Sequence, residues 1–261
     1  MIEELDIDGG YFHNIRAFLE IPQRKGPFPT VIICHGLTAN PVYPVDSHPI
    51  YRSISNRLAS DGFLTVRFNF TMNVDEDIAS FHIKSEEHDL KKIIEYLLDD
   101  KRVDKKRIGA VGHSFGGTIL LLIAHESKKI RAVATLSPKI ELGEAYSDHP
   151  LHQEAQEKGY FTHKDSNDVE WKISKEFFEE NFKHNKKLKK AIRKIKAPLL
   201  IVYGTGNPED ATEGEAIKDL ARHAETLAVE GENHQYTNTL GGLDTATKKV
   251  VEFFRINLLE R

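Results

Sequence analysis

The sequence predicts an α/β protein, a mostly parallel sheet with helices on both faces. Two observations carry that prediction. Short β-branched runs alternate with amphipathic stretches at the spacing of strand–helix–strand units. A glycine-flanked serine turn, Gly112-His113-Ser114-Phe115-Gly116, joins one such run to an apolar helix. With 261 residues, 39% hydrophobic and 29% charged, the chain suffices for one large globular core.

Residues 3–7 and 14–21 read as strands joined through Asp8-Gly9-Gly10, a hairpin turn. The β-branched run 30–34 follows Gly26-Pro27-Phe28-Pro29 and has the character of a buried strand. A helix is expected over 49–60, stopped by Asp61-Gly62, and a strand over 64–70. Residues 85–98 have helical period, with Leu90, Ile93, Ile94, Leu97 and Leu98 on one side and charges opposite. Strands over 108–111 and 132–136 flank a helix over 116–126. The alternation stops at Ser137-Pro138 and resumes at Pro198. The gap of about 60 residues is too long for a plain connection, so it needs structure of its own. Strands over 199–203 and 225–229 and a closing helix over 245–259 complete the order. The whole of 1–261 therefore reads as a single domain with an insertion at about 139–196.

Net charge is −4, from 36 basic and 40 acidic residues, so the balance disfavours nucleic acid as a partner. No apolar run approaches the roughly 20 residues of a membrane span, and the first residues lack a signal peptide's pattern. A single cysteine, Cys34, precludes an internal disulfide and suits a cytoplasmic setting. Set within an apolar strand, it reads as a small core residue.

The serine turn has the strand–turn–helix context of a nucleophile elbow. A serine at so tight a turn sits in strained backbone, and bulky neighbours would collide with it. The helix that follows aims its N-terminal amides at the reacting centre. The plainer reading, a glycine turn packing strand on helix, does not require a serine between the glycines. Neither a P-loop nor a dinucleotide fingerprint fits the spacing.

This turn, together with Cys34-His35-Gly36-Leu37-Thr38 and Gly231-Glu232-Asn233-His234, resembles the α/β-hydrolase superfamily. The likeness is nearest to small carboxylesterases grouped with feruloyl esterases, dienelactone hydrolases and related serine peptidases. It runs from the strand at Thr30 to the final helix. The resemblance implies Ser114 as nucleophile and the backbone N–H groups of Leu37 and Phe115 as an oxyanion hole. It also implies a base near the C-terminal end, since the order in this fold is Ser, acid, His. Of 13 histidines, His234 follows the last strand in a polar loop at the edge where strand C-termini collect. His113, next to the serine, is expected to point away.

The acid is less plainly written. Relatives place Asp three residues after the glycine closing the next-to-last strand, and that position holds Asn207 in Gly204-Thr205-Gly206-Asn207-Pro208-Glu209-Asp210. Allowing for extra loop residues moves the position to Glu209 or Asp210, with Asp210 preferred. A second departure follows residue 70, where relatives continue Arg-Gly-x-Gly-x-Ser and this chain reads Thr71-Met72-Asn73-Val74-Asp75.

Residues 139–196 stand where relatives insert a cap. Within it, Leu188, Ile192 and Ile195 recur at helical spacing beneath a basic run, as in a solvated amphipathic helix. The aromatics of Trp171–Phe178 suit either a core or an acyl pocket. His149 and His152 are three apart but lack a completing ligand set, so no metal is expected. The expectation is a cofactor-free serine carboxylesterase acting on a small-molecule ester, with a homodimer left open. A serine amidase or peptidase with the same residues is the nearest rival. A degenerate binding protein is another, for which Asn207 is the one residue that speaks.

Overall fold

The computed structural model describes residues 1–10, 14–37, 49–71, 73–75, 78–80, 82–140, 150–164 and 170–260. Eight strands form the main sheet: β1 (Ile2–Asp8), β2 (Asn14–Glu20), β3 (Phe28–Cys34), β4 (Leu64–Phe68), β7 (Val103–His113), β8 (Ile130–Leu136), β11 (Leu199–Gly204) and β12 (Glu225–Val229). Their order is β1-β2-β4-β3-β7-β8-β11-β12. β1, β2 and β4 pair antiparallel, and every pair from β4 to β12 is parallel.

Alternation along β3 explains why this sheet needs helices on both sides. Val31 and Ile33 join one core cluster, while Ile32 and Cys34 join the other. The first of these clusters is closed by α1 (Pro49–Ser60) and α7 (Gly242–Leu258). The opposite cluster is closed by α2 (Ile83–Asp99), α3 (Ser114–Ala124) and α6 (Pro208–Leu220). Cys34 is fully buried there, and burial pushes its thiol well above the ordinary range. It is a packing residue.

The insertion between β8 and β11 contains α4 (Pro150–Lys158), β9 (Tyr160–Lys164), β10 (Glu170–Ser174) and α5 (Glu176–Ile192). It does not build its sheet alone. Two short strands from the segment after β4, β5 (Asn73–Asp75) and β6 (Ile78–Ser80), complete a second sheet in the order β5-β6-β10-β9. β6 lies parallel to β10 and antiparallel to β5, so Asn73–Asp75 of the departing segment belongs to the insertion's sheet. Its apolar centre is small: Ala155, Phe161 and Ile173, with Leu37, Leu151 and Phe177 against it. Leu188, Ile192 and Ile195 are buried in the main core instead, which docks α5 on α3.

Two readings need correction. The strand expected to 70 ends at Phe68: the next amide still follows the β2 ladder, and the one after it turns to a side chain. Asn69 N–H bonds Arg16 O and Phe70 N–H bonds His35 Nε2. On α2 the charges are not all opposite the apolar face, since Glu86, Glu87 and Asp89 are buried. Asp89 accepts Thr71 N–H at 2.6 Å and Glu87 pairs with Lys187 of α5 at 2.8 Å. Burial, with Asp89 and Glu180 nearby, raises the Glu86 carboxyl well above the usual carboxylate range. Among the described residues no helix is long and apolar enough to cross a membrane.

Candidate active site

The serine turn is built by close approach. A Cβ on Gly112 would lie 2.6 Å from Gly116 O, and one on Gly116 would lie 2.2 Å from His35 O, so neither position admits a side chain. Between them Ser114 has φ of 52°, left-handed backbone that a non-glycine residue adopts only at a cost. α3 begins at Ser114 itself, two residues before the sequence-based start.

Ser114 Oγ lies 2.9 Å from His234 Nε2. His234 Nδ1 lies 2.9 Å from both carboxylate oxygens of Asp210. An ionised carboxylate only accepts, so Nδ1 carries the proton and Nε2 is left as the acceptor for the serine hydroxyl. Asp210 is 1% exposed. Burial alone would push its carboxyl up, but hydrogen bonds and charge from His234 and Lys139 outweigh this and bring it to about 2.

The competition among Asn207, Glu209 and Asp210 is explained by where α6 begins. Asn207 is its N-cap, accepting Glu209 N–H at 3.0 Å, and Pro208 follows at the first helical position. Asp210 then falls in the first turn, where the helix dipole favours an anion, and turns inward. The Glu209 side chain is 62% exposed and its Oε2 lies 3.4 Å from Lys139 Nζ.

The strand β3 delivers His35-Gly36-Leu37 beside the elbow. His35 Nε2 accepts Phe70 N–H at 2.9 Å, so the other nitrogen carries the proton and donates to Gly36 O at 2.7 Å. That carbonyl belongs to the same rigid peptide unit as the Leu37 N–H, so His35 fixes the plane of this expected oxyanion donor. Burial lowers His35 from 6.5 to about 4 against the raising effect of the Gly36 bond, which keeps the ring neutral. An unfolded histidine binds its proton first on acidification, so stability should fall as pH drops from 6.5 to 4. The loss should reach about 3 kcal/mol. Urea unfolding across that range should show the slope, and His35→Gln should flatten it. Phe115, the other expected donor, is the second residue of α3, where backbone N–H groups have no intrahelical acceptor.

A hydrogen-bond chain that sequence reasoning missed ties these parts together. Gly36 N–H donates to Tyr51 Oη at 2.8 Å, and Tyr51 Oη lies 3.0 Å from His113 Nδ1. His113 Nε2 donates to the His234 carbonyl at 3.0 Å. Since that carbonyl can only accept, a neutral His113 has Nδ1 free to accept the Tyr51 proton. His113 is thus structural, as expected, and holds the loop of His234, but its ring stands 5.2 Å from the His234 ring rather than pointing away from the site. Tyr236 braces the same loop, with Oη donating to Val202 O at 3.1 Å and lying 3.0 Å from Ser137 Oγ. Tyr51→Phe should orphan the buried Gly36 amide, destabilise the fold by about 1–3 kcal/mol and lower kcat more than it raises KM. Thermal melts and steady-state kinetics would check both. Tyr236 lies two residues past His234, a readable position, but nothing in the spacing marks Tyr51.

Among the described residues no group of three or more His, Cys, Asp or Glu side chains could hold a metal. His149 lies outside the described residues, and His152 Nε2 is 3.4 Å from the Gln156 amide nitrogen.

Comparison with known proteins agrees with this architecture. Esterase FrsA of Klebsiella pneumoniae is 28% identical over 155 residues, which is 58% of this chain and 34% of that protein. The chain thus spans about a third of that relative's length. Among solved structures, Est1E from Butyrivibrio proteoclasticus with ferulic acid bound superposes with a TM-score of 0.73 at 19% identity, covering 99% of this chain and 100% of that one. Dienelactone hydrolase from Anabaena variabilis gives 0.69 at 15% identity, covering 99% and 98%. A family model for the alpha/beta hydrolase fold matches residues 29–169, more than half the chain. On that match, and on the parallel sheet with its serine elbow, the chain belongs to the α/β-hydrolase family.

Proposed function

We propose that the protein is a serine hydrolase of carboxylic esters, working through an acyl-enzyme on Ser114 with His234 as general base and Asp210 as its carboxylate partner. The observation that carries this reading is the continuous chain from Ser114 Oγ through His234 to Asp210, each link 2.9 Å. His234 takes the serine proton as Oγ attacks the acyl carbonyl, then returns it to the departing alcohol. Water, deprotonated by the same imidazole, releases the acid. The N–H groups of Leu37 and Phe115 hold the developing oxyanion.

Residues 139–196 act as a cap on a single hydrolase domain. The Phe177 ring of α5 lies 5.4 Å from that of Phe115, and Leu37 packs against the cap's buried Ala155, Phe161 and Ile173. The cap therefore reaches the side chains of both oxyanion residues and presents apolar and aromatic surface to the acyl group. The name of the curated relative, Esterase FrsA, supports the same reading. Asn207, which favoured a degenerate binding protein, is occupied as a helix cap.

Rapid mixing with p-nitrophenyl acetate should give a stoichiometric burst of nitrophenolate followed by slower turnover. Paired assays on a matched anilide should give a far lower rate. Turnover of the anilide at a comparable rate would favour the amidase reading, and no reaction with either would contradict both.

A further inference from the structure

Lys139 is the first residue of the proposed cap. Its side chain is 14% exposed, and Nζ lies 2.9 Å from Asp210 Oδ1, the same oxygen that accepts from His234. Its backbone is fastened at the same place. Lys139 O accepts from Thr118 Oγ1 of α3 at 2.5 Å, and the next amide, Ile140 N–H, donates to Glu213 one turn along α6. The ammonium is therefore held against Asp210 by its own chain path.

We propose that Lys139 is a positioning residue that shares the Asp210 carboxylate with His234, weakening the protonated imidazole and coupling the start of the cap to the catalytic base. This rests on the ester-hydrolase reading for its consequence in turnover, but not for its electrostatics. A cation beside the carboxylate draws off part of the charge that would otherwise stabilise imidazolium. The other groups around the couple are Glu209 and Glu213 from α6, Tyr236 and Glu232 from the His234 loop, and His113 and Ser114 from the elbow. The carboxylates among them act in the opposite sense. Among the described residues Lys139 is the lysine or arginine that reaches Asp210.

The test compares wild type, Lys139→Met and Lys139→Arg in two measurements. One is the pH profile of kcat/KM on a p-nitrophenyl ester, and the other is NMR titration of the His234 ring, identified by its loss in His234→Asn. In Lys139→Met both the acid limb and the ring titration should move to higher pH by about one unit, a tenfold rise in proton affinity. Lys139→Arg should stay near wild type. If Lys139→Met does not fold, Lys139→Gln keeps a donor to Asp210 without the charge and carries the same expectation. Superimposable titrations in wild type and the neutral variant would overturn the proposal, whatever happened to kcat. Absence of ester turnover in wild type would instead contradict the ester-hydrolase reading, and the NMR titration would still decide the role of Lys139.

Discussion

Asp210→Asn is expected to lower kcat on an ester substrate by about 10⁴-fold, the cost of the same exchange in trypsin-like triads. Both carboxylate oxygens lie 2.9 Å from His234 Nδ1 and only accept hydrogen bonds. An amide can turn its NH₂ toward Nδ1, which reverses the tautomer and places a proton where the serine hydroxyl must donate. The amide also leaves Lys139 without its closest anion, so a loss of stability should accompany the loss of rate. With its carboxyl depressed to about 2, Asp210 contributes stability that is fully present above the ordinary carboxylate range near 4 and lost as pH falls through about 2. Asn207→Ala is the control. It removes a helix cap worth about 1 kcal/mol and should leave kcat nearly unchanged. Parallel kinetics and melts decide the matter, and an Asp210→Asn enzyme within tenfold of wild type would contradict the assignment.

Ser114→Ala carries the largest expected loss, about 10⁶-fold in kcat, by analogy with removal of a serine nucleophile acting with its base as one unit. The fold should survive, because Ser114 Oγ has its bond to His234 at the mouth of the elbow rather than in the core. The backbone makes a second, independent expectation. At φ of 52° an alanine keeps the strain and a glycine releases it, so Ser114→Gly should melt above Ser114→Ala although both are inactive. Equal melting temperatures, with Ser114→Gly no better, would mean that the elbow is not strained. Retained turnover in either would remove Ser114 from the mechanism.

The parts of this architecture that were legible in sequence are those set by local chemistry. β-branched runs gave the strands because the sheet is buried on both faces, and Gly112 and Gly116 marked a turn where no Cβ fits. The ambiguity over the acid came from counting forward from Gly204 as though the loop continued. Asn207-Pro208 is a helix start, and reading it so puts Asp210 in the first turn. What stayed hidden was non-local. Tyr51 meets His113 across 62 residues, and His113 meets the His234 carbonyl across 121. β5 and β6 are three residues each, too short for a period to register, and pair with a strand of the insertion. The inward carboxylates of α2 depend on partners elsewhere, among them Thr71 and Lys187.

The most direct measurement is incubation of the folded protein with a fluorophosphonate probe, followed by mass spectrometry of the labelled peptide. The geometry around Ser114 predicts one adduct, on Ser114, abolished in Ser114→Ala and strongly slowed in Asp210→Asn. An adduct on a different serine, or none on protein shown to be folded, would contradict the assignment of this site as that of a serine hydrolase.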